Sequence, residues 1–236
     1  MNQSAQSDPI ALFRANWETY QKLLEHNYMF HHELVQASQQ LIESINRPLS
    51  LVDLGCGDAS LSQILFRNNQ ISRYIACDLS PPALALAKDN LASWSSRLEL
   101  NCLDMLEQLG QIPDRSLDLV FSSYAIHHLT DQSKLALFKE CARVLNHSGY
   151  FVLIDVMRRD GQSRDHYLDD YLCMVKNDWA AIRPIECARI TEHVRANDFP
   201  LSPSEYQSLA HQAGFHKEAL LDAHGFHQAW AYQRLS

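Results

Sequence analysis

The chain has 236 residues, 46% of them hydrophobic, with four Trp, a formal net charge of −8 and a pI near 5.8. That is enough to bury the core of one α/β domain with an elaboration, and the acidity argues against a nucleic-acid partner. No apolar stretch reaches the roughly 18 residues of a membrane span, and residues 1–13 lack the basic and apolar regions of a signal peptide. The six cysteines form no CxxC pair and mostly sit in apolar runs, so they read as reduced core residues and the expected location is cytoplasmic.

Asp8-Pro9 has the form of a helix cap followed by proline, and Ile10, Phe13, Trp17, Tyr20 and Leu24 recur at helical spacing after it. Phe30, Leu34, Ser38, Leu41 and Ile45 predict a second helix, so residues 1–47 form a helical cap ahead of the sheet. Strands are expected at Leu49–Leu54, Tyr74–Asp78, Leu98–Cys102, Leu117–Ser123 and Tyr150–Val156. Helices over Ala59–Arg67, from Ser80-Pro81-Pro82 and from about Ser133 alternate with them, the last stopped by Gly149. Such alternation predicts a parallel sheet covered on both faces. The pattern breaks over residues 157–200, a helical insert expected to act as a lid. It resumes with the capping box Ser202–Glu205 and a helix ended by Gly214. Phe215–Leu221 and Gln228–Gln233 then read as an antiparallel pair joined by a short connection.

The stretch SLVDLGCGDASLSQIL (50–65) places two glycines and two carboxylates at the exit of the first strand. No GxxxxGK[ST] string exists, which excludes a P-loop. The third position of a dinucleotide GxGxxG motif is Ser60 here, and Asp53 and Asp58 would repel a pyrophosphate. A phosphate-free ligand with positive charge fits better, and S-adenosylmethionine carries an ammonium and a sulfonium. Asp78, 21 residues after Gly57, stands where an acidic residue accepts ribose hydroxyls. Asp104 follows the third strand and is placed to take the adenine amino group.

With VDLGCGDAS (52–60), CDLS (77–80), LDM (103–105), LDLVFSSYAIHHL (117–129) and LNHSGYFVLID (145–155) in hand, the sequence resembles the class I S-adenosylmethionine-dependent methyltransferases, in wording the small-molecule type 11 or type 12 branch. The motifs cover residues 49–156; a weaker likeness over 201–235 rests on PxSxxxYxxLxxxAGF. Alanine stands at 59 where the family often has a third glycine. The resemblance implies a Rossmann-like, mostly parallel seven-stranded sheet with an antiparallel last strand, in a single domain spanning 1–236. It implies that Asp53, Gly55 and Gly57 contact the methionine part of the cofactor, with Cys56 and Asp58 beside them. Asp78 would take the ribose and Asp104 with Met105 the adenine, Leu79 also belongs to the cofactor site, and Ser122 and Tyr124 line the floor near the sulfonium.

The expected function is S-adenosylmethionine-dependent methyl transfer to an O, N or C nucleophile of a small molecule, by a monomer or homodimer. The alternatives are a tRNA or protein methyltransferase and a non-catalytic cofactor-binding partner subunit. His127 or His128 is expected to orient or deprotonate the acceptor, with His127 ahead and Tyr20 as hydrogen-bond partner. Adjacent histidines are expected to point in different directions, and no HExxH helix or cysteine partner exists, so no metal ligand is assigned. Arg158, Arg159, Arg164 and Arg183 read as a solvated face, with an acidic substrate as the sharper alternative.

Overall fold

A computed structural model describes residues 18–234. Asp8-Pro9, Ile10, Phe13 and Trp17 of the first predicted helix lie outside these residues; within them, residues 18–25 are helical (α1). The order that follows is α2 (His31–Glu43), β1 (Leu49–Leu54), α3 (Ser60–Phe66), β2 (Ile71–Cys77), α4 (Pro81–Asn90), β3 (Leu98–Asn101), α5 (Met105–Gly110), β4 (Leu117–Ser123) and α6 (Asp131–Val144). The chain continues through β5 (Leu145–Val156), α7 (Arg164–Asp178), α8 (Pro184–Asn197), α9 (Pro203–Ala213), β6 (Lys217–His224) and β7 (His227–Gln233).

The seven strands form one sheet in the order β3-β2-β1-β4-β5-β7-β6. The first five are parallel, and β7 runs antiparallel between β5 and β6. The expected Rossmann-like seven-stranded sheet is therefore present. Its faces follow the two-residue period of extended chain. Val52, Leu54, Val120 and Phe151 pack with α5, α6 and α9, whereas Leu51, Leu119, Phe121 and Val152 pack with α2, α3 and α4. Leu54 lies beside both Cys77 and Ser122 in the register, so the carboxyl ends of β1, β2 and β4 finish at one edge.

Gly149 does not stop a helix. α6 ends at Val144, and β5 begins at Leu145 and runs through the glycine. A Cβ at Gly149 would meet the carbonyl oxygens of Asn146 at 3.0 Å and Asp118 at 3.2 Å, so this glycine serves close backbone approach beside an irregularity in the β4–β5 register. The Ser202–Glu205 capping box is formed, with Ser202 N donating to Glu205 Oε2 at 2.8 Å, and Gly214 closes α9 with φ +92°.

The 157–200 insert supplies α7 and α8. These pack with Leu23, Tyr28, Val156 and Phe226 in a third apolar cluster. Lys22 Nζ lies 2.7 Å from Glu186 Oε1, and Ala181 N donates to Tyr28 Oη at 2.8 Å, so the segment before β1 and the insert are joined.

Candidate active site

A cleft of about 470 Å³ opens where β1, β2, β3 and β4 end. The glycine loop is tied down across the sheet: Gly55 N and Cys56 N both donate to Cys77 O, at 2.9 and 3.0 Å. Gly55 has φ +68°, and a Cβ there would lie 2.6 Å from Ala125 Cβ, so the position admits only glycine. Gly57 has φ +56° and open space where its Cβ would stand. Ala59, at the family's third glycine position, also takes a left-handed φ of 57°.

Among the described residues four aspartates line the cleft, and no lysine or arginine does. Asp53, almost fully buried, accepts from Ser62 Oγ at 2.5 Å and Tyr74 Oη at 3.0 Å. Burial raises its pKa to about 6, against the lowering by those two bonds. Asp78 accepts from Gly57 N at 2.9 Å and Ser80 N at 2.8 Å, so one carboxylate holds the glycine loop and the start of α4 together. Asp58 accepts from Ser60 N and Oγ. Asp104 caps α5 through Leu106 N at 2.8 Å while still lining the cleft.

Cys56, Leu79, Met105, Tyr124, Tyr20 and His128 also line it. Burial raises the thiol pKa of Cys56, and that of Cys77 to about 12, so neither is a nucleophile at neutral pH. Tyr20 is likewise raised, by burial and by Asp58, which keeps its phenol protonated as a donor. Tyr124 has φ +52°, a costly conformation for a bulky side chain, and its hydroxyl donates to Met29 O ahead of α2.

Residues 52–153 match the family model described as a methyltransferase domain. The chain carries a methyltransferase domain. Over 108 residues, 46% of this chain, it is 39% identical to a malonyl-[acyl-carrier protein] O-methyltransferase of Marinomonas sp.. Over 123 residues, 49% of this chain, it is 32% identical to an uncharacterized methyltransferase of Schizosaccharomyces pombe. These matches take in 38% and 44% of the relatives' own lengths, so the chain spans well under two thirds of either. Among solved structures, an O-methyltransferase family protein from Burkholderia thailandensis superposes with a TM-score of 0.61 at 14% identity, covering 88% of this chain and 59% of that one. A chain of the Haloferax volcanii complex between the Trm112 methyltransferase activator and a methyltransferase gives 0.63 at 16%, covering 94% and 96%. At such identities these two bear on the fold alone, which is that of the class I methyltransferases.

Within the methyltransferase domain two expected residues stand elsewhere. Ser122 does not line the cleft; it is fully buried and donates to Leu54 O at 2.8 Å. Its neighbour Ser123 lines the cleft instead, because successive strand side chains face opposite ways, and its buried Oγ has no hydrogen-bond partner among the described residues. His127 does not line the cleft either. It turns under the sheet edge to Asp155 on β5, with Nδ1 2.5 Å from Oδ1 and its backbone N donating to Oδ2 at 3.0 Å. Burial disfavours its charged form, but the attraction and hydrogen bond of Asp155, with Asp198 beyond, leave its pKa raised.

The two adjacent histidines do not diverge. Their short 3₁₀ turn (Ile126–His128) sets the rings 3.9 Å apart, and both approach Asp198. The four insert arginines have local partners: Arg158 with Glu205, Arg159 with Asp170, Arg164 with the Asp198 carbonyl and Arg183 with Glu186. None of them lines the cleft.

Proposed function

We propose that the protein binds S-adenosylmethionine in this cleft and passes its methyl group to an oxygen, nitrogen or carbon nucleophile of a small molecule. The observation that carries the reading is the charge of the lining: among the described residues four aspartates surround the glycine loop and no lysine or arginine does. That lining attracts a ligand bearing sulfonium and ammonium charges and repels pyrophosphates. The residues fit such a guest. The buried Asp53 carboxylate, held at a raised pKa, gains from an arriving cation. The buried Ser123 hydroxyl has no hydrogen-bond partner among the described residues, and the space beside Gly57 is open.

In this reading Asp53, Gly55 and Gly57 hold the methionine part with Cys56 and Asp58. Asp78 and Leu79 hold the ribose, Asp104 and Met105 the adenine, and Tyr124 and Ser123 the floor. The bound cofactor supplies an electrophilic methyl group on a positively charged sulfur. The protein's own work is positioning and removal of water. Tyr20 reaches the cleft from α1, and α1 is fastened to the insert, which favours an acceptor small enough to pass beneath this roof. Tyr20 donates a hydrogen bond to the acceptor, and His128, the histidine of the pair that lines the cleft, faces it. Calorimetry with S-adenosylmethionine, S-adenosylhomocysteine, NAD and ATP tests the reading. Binding of the first two alone is expected; binding of NAD or ATP with no response to the sulfonium would sink it.

A further inference from the structure

We infer that His127, His128 and Asp198 form a site for one divalent cation of the zinc type at the rim of the cleft. One ligand atom from each residue lies within 4.8 Å of those of the other two. Asp198 Oδ1 stands 3.7 Å from His127 Nε2 and 3.4 Å from His128 Nδ1. Ligands around tetrahedral zinc, with bonds of about 2.0–2.1 Å, lie roughly 3.4 Å apart. Both distances are long for hydrogen bonds, and Asp198 Oδ1 is buried with no hydrogen-bond partner among the described residues; His128 Nδ1 has a 3.2 Å contact with Asn197 O, which a cation would replace.

The surroundings prepare His127 as a ligand. Both oxygens of Asp155 are engaged by the segment they hold: Oδ1 by His127 Nδ1 and Val156 N, Oδ2 by His127 N. A carboxylate on Nδ1 fixes the tautomer and leaves the Nε2 lone pair free toward Asp198, the arrangement in which ligating histidines are oriented by an outer carboxylate. Charge agrees. Two buried aspartates, Asp155 and Asp198, stand near one buried ammonium, that of Lys134, which donates to the carbonyls of Leu129 and Phe199 and lies 3.8 Å from Asp131, so a carboxylate is left for a cation to meet. Two imidazoles and one carboxylate suit zinc and its borderline neighbours rather than magnesium or calcium, and three protein ligands leave a coordination position open. Because His128 lines the cleft, the cation sits beside the space for the acceptor. Asp198 follows α8, so the same cation ties the insert to the turn after β4.

The site does not depend on the methyl-transfer reading, and its test measures metal rather than turnover. Untagged protein is stripped with a chelator and titrated with Zn²⁺ by calorimetry and with Co²⁺ by visible absorption. One equivalent should bind, with cobalt bands of a nitrogen- and oxygen-ligated centre, and Zn²⁺ should raise the unfolding temperature. His128→Ala and Asp198→Asn should each weaken binding tenfold or more. Asp155→Asn should weaken it about 10–100-fold through its hold on His127. His211→Ala, an exposed histidine paired with Glu218, should change nothing. His128 is partly exposed, so its variant is expected to fold even where Asp198→Asn does not. Absence of stoichiometric binding, or binding unchanged in folded His128→Ala protein, overturns the assignment.

Discussion

Tyr28 stacks on Trp179, ring centroids 5.4 Å apart and planes 12° from parallel. The contact joins the segment before α2 to the start of the loop leading into α8. With Lys22–Glu186 and Ala181–Tyr28 it makes one assembly of two stretches separated by the whole of the first five strands. Tyr20, on the same helix as Lys22, carries that assembly to the cleft. Binding of S-adenosylhomocysteine should therefore slow amide exchange in 18–47 and 157–200 together. Protection confined to residues 53–60 would show the assembly to be a scaffold.

Asp78 should be the most sensitive position for cofactor affinity. A charge-assisted hydrogen bond contributes about 1.5–3 kcal/mol, so Asp78→Ala should raise the Kd for S-adenosylmethionine roughly tenfold or more. Part of the loss comes from the loop, since Asp78 also accepts from Gly57 N and Ser80 N. Asp78→Asn, which keeps an acceptor oxygen, should fall between wild type and Asp78→Ala in calorimetry.

Asp53 should trade stability for binding. Its folded pKa of about 6 lies above the ordinary 3.8, so between these values the native state holds more protons and stability falls as pH rises. The deficit above pH 6 is on the order of 2–3 kcal/mol. Asp53→Asn should accordingly raise the unfolding temperature of ligand-free protein at pH 7.5 and weaken cofactor binding. A lower unfolding temperature would mean that its bonds to Ser62 and Tyr74 outweigh the burial of charge.

Acid should act in the opposite direction through two buried histidines. Burial lowers His31 to about 4 and His227 to about 3, and the ring nitrogens of both lack hydrogen-bond partners among the described residues. Below pH 6.5 the unfolded chain takes up protons that the native state refuses, so stability is lost as pH falls toward 4, by a few kcal/mol for each residue. This outweighs the gain from Asp53 over the same range. In thermal melts between pH 7 and 4.5, His227→Leu should flatten the decline; an unchanged slope would place the acid lability elsewhere.

Much of this architecture was legible in the sequence. β1 and β4 occupy their predicted ranges because each is a short, mostly apolar run bounded by clear punctuation. The expected cofactor residues gather in one cleft because they leave strands that finish at one sheet edge. Strand polarity says which of two neighbouring serines faces a ligand only when the register is known, and so Ser123 and Ser122 exchanged places. Asp155 falls inside the predicted strand Tyr150–Val156 and Asp198 inside the helical insert 157–200, and nothing in the sequence singled out either. Their meeting with His127 spans 28 and 71 positions of the chain and depends on the β4–β5 pairing and on how the insert folds back, which periodicity does not encode.

The position of β7 sets an order of events during synthesis. β5 is made early, yet the neighbour on its open side is the last strand of the sheet to be made, and β6, translated before β7, has no place until β7 arrives between them. The apolar edge Phe151–Ile154 therefore waits unpaired while helices α7, α8 and α9 emerge. An unpaired, hydrophobic strand edge is a template for association with other chains. Slow translation through residues 157–226 prolongs that exposure, and chaperone occupancy on nascent chains should peak there and fall once Trp230 and Tyr232 are free to pair with Leu153 and Phe151.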